Sequence, residues 1–167
     1  MVPLIARSWS PKGETPMVRT CGRWTKVSAI SALSATAKKR RVSLYLQFHN
    51  NKNIRSGQVI QFLRHLLRHI PRTIILLWDN IPTHKSKIVT QFLKDHPRIQ
   101  YHHFPGYAPE LNPDEFVWSQ MKRRLANSRP LHPDELLKRL QKERRRLQQS
   151  QRLMSSCIHA SELPWQR

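Results

Sequence analysis

An α/β domain with a mixed sheet flanked by helices is the fold this 167-residue chain predicts. Three observations carry the expectation. Val42, Leu44, Leu46 and Phe48 alternate with Ser43, Tyr45, Gln47 and His49, the period of a strand with one buried face. Ile54, Val59, Phe62, Leu63, Leu66, Leu67 and Ile70 then recur at helical spacing, with Arg64, His65 and Arg68 on the other side. A continuous apolar run follows, Thr73-Ile-Ile-Leu-Leu-Trp78, and it stops at Asp79-Asn80. Strand, helix and strand in that order require a sheet with helices packed against it.

The other elements follow in chain order. Pro3, Pro11, Gly13 and Pro16 make the first 16 residues irregular. Residues 23–36 place Trp24, Ala29 and Leu33 among small polar residues, which suits a strand. The basic stretch 37–41 turns that strand into the next, so the two form a hairpin. The run 73–78 reads as a strand buried on both faces, as in a sheet covered on both sides. Residues 84–94 read as helix, ended by His96-Pro97. Residues 99–104 are strand-like, and 105–109 form a loop. Residues 112–127 form a helix that Pro130 closes, with Val117, Trp118, Met121 and Leu125 as core. Residues 133–154 make one last basic helix with Leu136, Leu137, Leu140 and Leu147 on one side. The division expected is a main α/β domain over 1–129 and a basic C-terminal helix and tail over 130–167.

Charge narrows the function. Lysine and arginine number 30 against 10 acids, a net charge of +20, while a 38% hydrophobic share still allows a core. Residues 1–78 net +13 with a single acid, Glu14, and residues 79–167 net +7. No stretch has the roughly 18 apolar residues a membrane span needs, and the N-terminus lacks a signal-peptide pattern. Cys21 and Cys157 suggest no disulfide framework. The expectation is an intracellular folded domain whose natural partner is a polyanion, bound with strong salt dependence. Charge alone fits a nucleic-acid enzyme and a ribosomal or nucleoid coat protein equally.

Two segments separate those readings. The first is Leu76-Leu77-Trp78-Asp79-Asn80-Ile81-Pro82-Thr83-His84. The second, roughly 25 residues later, runs Phe104-Pro105-Gly106-Tyr107-Ala108-Pro109-Glu110-Leu111-Asn112-Pro113-Asp114-Glu115-Phe116-Val117-Trp118 and leads into Lys122-Arg123-Arg124. Plainer readings exist for both. Asp79-Asn80 suits an Asx turn or a helix cap. Asn112, Pro113 and Glu115 have the order of an N-cap, an N1 proline and a capping-box acid. Asp114 lies about 100° round the helix from Glu115 and reads as a surface acid complementing the helix dipole. His65 and His69 stand at i, i+4 without a third ligand, so they do not make a zinc site. His102 and His103 point to opposite strand faces. His84 suits either orienting a carboxylate or a structural hydrogen bond.

Taken together the two segments resemble the catalytic half of DDE-superfamily transposases, in the insertion-sequence branch related to the mariner elements. The resemblance covers roughly residues 3–127, including Pro3–Pro16, which is similar to the segment after that family's first catalytic strand. It implies a ribonuclease-H-like fold. It also implies DNA cleavage and strand transfer at transposon ends by two-metal chemistry, with Mg²⁺ or Mn²⁺ held by two aspartates and a glutamate. Asp79 matches the second aspartate and Glu115 the glutamate, so both are the candidate catalytic and metal-binding residues. Hard oxygen ligands from separate chain segments are what such metals need. Glu115, Ser119 and Lys122 share one helix face. Asn80, His84, Tyr107, Lys122, Arg123 and Arg124 are the candidate DNA contacts. The implied partners are double-stranded DNA and a second copy or a full-length transposase. The implied location is the bacterial cytoplasm, at the nucleoid.

The family's first aspartate belongs on a strand before Pro3–Pro16, and Glu14, in a Gly-Glu-Thr-Pro loop, does not match it. The sheet is therefore expected to lack or only partly form its first central strand. The chain is expected to be a truncated piece, marginal in stability and close to inactive alone. The alternative is a basic DNA-binding remnant without catalysis.

Overall fold

The computed structural model describes residues 10–13, 26–36, 41–126, 130 and 132–164. The first half of the chain follows its hydrophobic alternation. Strands β1 (Val27–Ala35) and β2 (Val42–Asn50) pair antiparallel in a hairpin whose register runs from Val27 opposite Asn50 to Ala35 opposite Val42. The expected strand over 23–36 is thus seen from Val27; residues 23–25 lie outside the described residues, as do 1–9. Each hairpin face has its own core. Val27, Ala29, Leu33, Val42, Leu44, Leu46 and Phe48 face one way, and Ile30, Ala32 and Tyr45 the other. This is the period-two alternation of a pleated strand, with both faces covered.

Helix α1 (Ser56–His69) follows, and Val59, Phe62, Leu63 and Leu66 form its buried stripe. The Gln58 side chain accepts from the Arg55 backbone N–H at 3.0 Å and caps its start. Strand β3 (Ile74–Trp78) pairs parallel with β4 (Ile99–His103), connected through α2 (Lys87–Lys94). Ile74, Trp78 and Ile99 join the α1 residues, Val89, Phe92 and Leu93 in one core. Helix α2 starts at Lys87, not at His84. Residues 82–85 instead form turns, with His84 N–H bonded to the Ile81 carbonyl at 3.0 Å. Strand β3 is buried on one face only, which corrects the two-faced expectation. Ile75 and Leu77 are 68% and 43% exposed, because among the described residues α1 and α2 cover only the Ile74–Trp78 face.

The second half closes over the hairpin. A 3-10 turn (Pro109–Leu111) leads into α3 (Pro113–Leu125), which buries Val117, Met121 and Leu125. The expected single helix over 133–154 is two helices, α4 (Pro133–Gln149) and α5 (Gln151–His159). Ser150 is extended between them, and its hydroxyl accepts from Leu153 N–H at 3.3 Å as the cap of α5. The break lets Met154, Cys157 and Ile158 reach the same core as Leu136, Leu140 and Leu147.

The C-terminal helices also cover the outer edge of β2. Arg144 donates to the Leu46 carbonyl at 3.3 Å and Gln148 to the Leu44 carbonyl at 2.9 Å. The Gln151 amide makes a strand-like pair with Val42, donating to its carbonyl at 2.8 Å and accepting from its N–H at 3.0 Å. These side chains stand in for a further strand on an edge that would otherwise expose its ladder groups. Gln151→Ala is expected to cost about 1–2 kcal/mol, two modest hydrogen bonds, in a thermal melt.

Among the described residues the sheet is present as two pairs, β1–β2 and β3–β4, in an α/β arrangement. None of their helices is long and apolar enough to cross a membrane.

Candidate functional site

The carboxyl ends of β3 and β4 are where an α/β sheet opens its ligand crevice. The register sets Trp78 beside His103, and Phe104 N–H extends the pairing to the Trp78 carbonyl at 2.8 Å. Asp79 leaves the sheet at that point with its side chain 52% exposed. His84 comes back from the following turn, and its Nδ1 lies 2.7 Å from Asp79 Oδ1. The imidazole stacks on Trp78, with ring centres 4.2 Å apart and planes 9° apart. Burial lowers the His84 pKa from its usual 6.5, outweighing the opposite pull of Asp79. A neutral ring therefore faces the carboxylate near neutral pH. It donates one N–H, fixes the carboxylate's direction and leaves Oδ2 without a hydrogen bond among the described residues.

His103 is a member of this cluster that the sequence did not mark. Its Nδ1 lies 3.3 Å from the Asp79 carbonyl and its ring stacks on Trp78 at 5.8 Å. Asn80 sends its side-chain N–H to the Phe104 carbonyl at 2.8 Å. That amide ties the loops after β3 and β4 together.

The second carboxylate stands on α3. Asn112 caps the helix, its side chain accepting from Asp114 N–H at 3.1 Å, and Pro113 occupies N1. Glu115 does not complete a capping box. Its exposed side chain makes no hydrogen bond or ion pair among the described residues. Capping by Asn112 leaves the Glu115 carboxylate available, on an exposed face it shares with Ser119 and Lys122.

Asp114 is not the surface acid the sequence suggested. Its Oδ1 is buried without a partner, and its Oδ2 accepts from Trp118 Nε1 at 3.0 Å and from the Ser31 hydroxyl on β1. Burial raises its pKa from 3.8 to about 6. The reason lies across the sheet: Ser31 points to the hairpin face that α3 covers, and it meets the first turn of that helix.

Tyr107 sits at the tip of the connecting loop with φ 55° and a fully exposed ring. Lys122 and Arg123 are exposed at the end of α3. Arg124, also exposed, reaches Glu143 of α4 at 3.7 Å and is partly committed to that ion pair. Asp79 and His84 are thus brought together directly. No hydrogen bond or ion pair among the described residues joins Asp79 to Glu115, and no group of three metal-ligating side chains occurs among them. The His65 and His69 rings lie 4.1 Å apart, tilted by 45°, but His69 Nδ1 is occupied by the His65 carbonyl at 2.8 Å.

Asp79 and Glu115 each present exposed carboxylate oxygens, the hard donors a divalent cation takes. A match to the family described as DDE superfamily endonuclease covers residues 2–138. The chain is 24% identical over 130 residues to the Tc1 transposable element transposase of Caenorhabditis elegans, covering 78% of this chain and 46% of that protein. It is 31% identical over 122 residues to an uncharacterised 39 kDa protein of the insertion element IS630 from Shigella sonnei, covering 71% of this chain and 34% of that protein. It therefore spans less than half the length of either relative. Among solved structures it is similar to the Mos1 mariner paired-end complex with Mn, at TM-score 0.59 and 19% identity, over 99% of this chain and 53% of that one.

Proposed function

We propose that this chain, which belongs to the DDE superfamily endonucleases, is the part of a mariner-related transposase that receives a DNA phosphodiester at Asp79 and Glu115. The observation that carries the reading is Asp79 at the end of β3, held by the neutral His84 on one oxygen. Glu115 supports it, making no hydrogen bond or ion pair among the described residues in the first turn of a helix capped by another residue. Asp79 and Glu115 would hold Mg²⁺ or Mn²⁺. When bound, such ions supply activation of the attacking water or 3′-hydroxyl and charge stabilisation at the leaving oxygen. The chain's own residues do the positioning. His84 keeps Asp79 aimed. Lys122 and Arg123 meet phosphates beyond the carboxylates, with Arg124 contributing where its link to Glu143 opens. The exposed Tyr107 ring lies against the sugar-phosphate surface. A second copy, or a longer transposase, is the protein partner in this reading.

Only Glu14 precedes Asp79 as an acid, so these 167 residues carry two of the three carboxylates of the family motif. Cleavage and joining of transposon ends are therefore proposed for the intact family site, and near-silence for this chain alone. The test pairs a duplex-binding titration with a plasmid-nicking assay in Mn²⁺. The chain is expected to bind duplex DNA with affinity that falls steeply with salt, and to leave plasmid uncut. Asp79→Asn and Glu115→Gln are expected to bind DNA at least as well as the parent. Nicking that both substitutions abolish would overturn the near-silence and keep the site. Absence of salt-dependent binding would overturn the DNA reading itself.

A further inference from the structure

A second basic site lies at the opposite end of the parallel strand pair. Asp79 follows the last residue of β3, whereas Arg98 immediately precedes β4, and its carbonyl accepts from Ile74 N–H, the first residue of β3, at 2.8 Å. A five-residue strand separates the two ends, about 16 Å at the usual rise. There, a cleft of about 950 Å³ opens between α1, β2 and the loop from α2 to β4. Arg64, Arg68, Arg98 and His96 supply its basic groups, and Gln47 and Gln61 its amides.

The cleft is organised for an anion. Arg98 is fixed by the end of α1: its Nη2 donates to the carbonyls of Leu67 at 3.4 Å, Arg72 at 3.3 Å and Ile70. Arg64 lies over the Phe92 ring, 5.5 Å from its centre. His96 stacks on the same ring at 4.0 Å, with its Nδ1 held by the Phe92 carbonyl at 2.7 Å. Arg68 stands one turn from Arg64 on the same helix face, about 6 Å along the axis. Among the described residues none of the three arginines is ion-paired. Asp95, the one acid lining the cleft among the described residues, is engaged by the Gln91 amide at 2.9 Å. Three arginines against one carboxylate give the cleft a net positive charge, which favours an anion in it. Most of the lining residues are exposed and form an open groove, which suits a continuous strand of phosphates.

We propose that this cleft is a second DNA-binding groove, one that takes the phosphate backbone of a duplex segment other than the one at Asp79 and Glu115. It rests on the reading that DNA is the partner, and it adds a site that the two carboxylate motifs do not contain.

The test uses the full chain and a fluorescein-labelled duplex of random sequence, titrated by anisotropy across NaCl concentrations. Arg64→Gln with Arg68→Gln is expected to lower the slope of log affinity against log salt by about 2, one unit for each phosphate no longer neutralised. Arg68→Gln alone leaves the packing on Phe92 intact and is expected to lower it by about 1 with the melting temperature unchanged. Lys122→Gln with Arg123→Gln is expected to reduce the slope independently, so that the two sets add. An unchanged slope in both arginine variants, while the Lys122 and Arg123 variant shows a reduced one, would overturn the groove and leave the DNA reading standing. A parent chain with no salt-dependent binding would sink both. Tighter binding of an RNA duplex of the same sequence, weakened by the same arginine variants, would overturn the assignment of the groove to DNA.

Discussion

Asp79→Asn and Glu115→Gln are each expected to weaken Mn²⁺ binding by roughly a hundredfold, about 2.7 kcal/mol, in a calorimetric or paramagnetic titration of the folded chain. The magnitude follows from charge. At the proposed site a hard dication would be held by two carboxylates on a protein whose net charge is +20, so the surrounding field opposes binding. Removing one of two anionic ligands takes away half of the local negative charge and leaves the rest of the field in place. His84→Ala is expected to cost about tenfold, the usual effect of losing a residue that orients a ligand rather than serving as one. The pH dependence sharpens the test. Burial lowers the His84 pKa below 6.5, so the ring remains neutral above that pH and Mn²⁺ affinity stays level as pH rises towards 8. As pH falls through the lowered pKa, a proton places positive charge 2.7 Å from Asp79 Oδ1, and affinity drops. Equal Mn²⁺ affinity in the parent and both carboxylate variants would remove the basis for assigning a divalent site to this pair.

Local features of this chain are readable from sequence, and distant pairings are not. The β2 alternation, the α1 stripe and the carboxylate at the end of β3 each depend on residues within one element, and each is found where its periodicity puts it. His84 beside Asp79 is a five-residue relation, within reach of a turn. The misreadings have a common cause: periodicity shows which side of an element is apolar but not what lies against it. Thr73–Trp78 is apolar throughout, yet only one of its faces meets α1 and α2. The Leu136–Leu147 stripe runs smoothly into Met154, and nothing in its spacing signals that Ser150 will cap a new helix. His103 joins the Asp79 cluster through the parallel register of two strands, which depends on how far α2 carries the chain back. Asp114 has the composition of an ordinary first-turn acid. Its partner Ser31 is 83 residues away on β1.

That pairing leads to the second large effect. Asp114→Asn is expected to raise stability at pH 7.5 by about 2–3 kcal/mol, or roughly 4–10 °C in melting temperature. Desolvation is the main cause of the raised pKa, and the hydrogen bonds from Ser31 and Trp118 only partly offset it. In the unfolded chain the group titrates near its ordinary 3.8, and in the fold near 6. Between those values the folded state binds more protons, so stability falls as pH rises through that window and stays at its lower level above it. Asparagine keeps an oxygen for the Ser31 hydroxyl and the Trp118 indole N–H while removing the charge, so its advantage over the parent in melting temperature is expected to widen from pH 4 to 6. Asp114→Ala distinguishes charge from contact. It also removes the charge, but it leaves both donors without an acceptor and opens space beneath α3, so it is expected to melt below the asparagine variant at every pH. A parent whose melting temperature rises from pH 4 to 6, together with an asparagine variant less stable at pH 7.5, would mean that the folded state favours the ionised carboxylate. The first turn of α3, which carries Glu115, would then be anchored to β1 by charge-assisted hydrogen bonds.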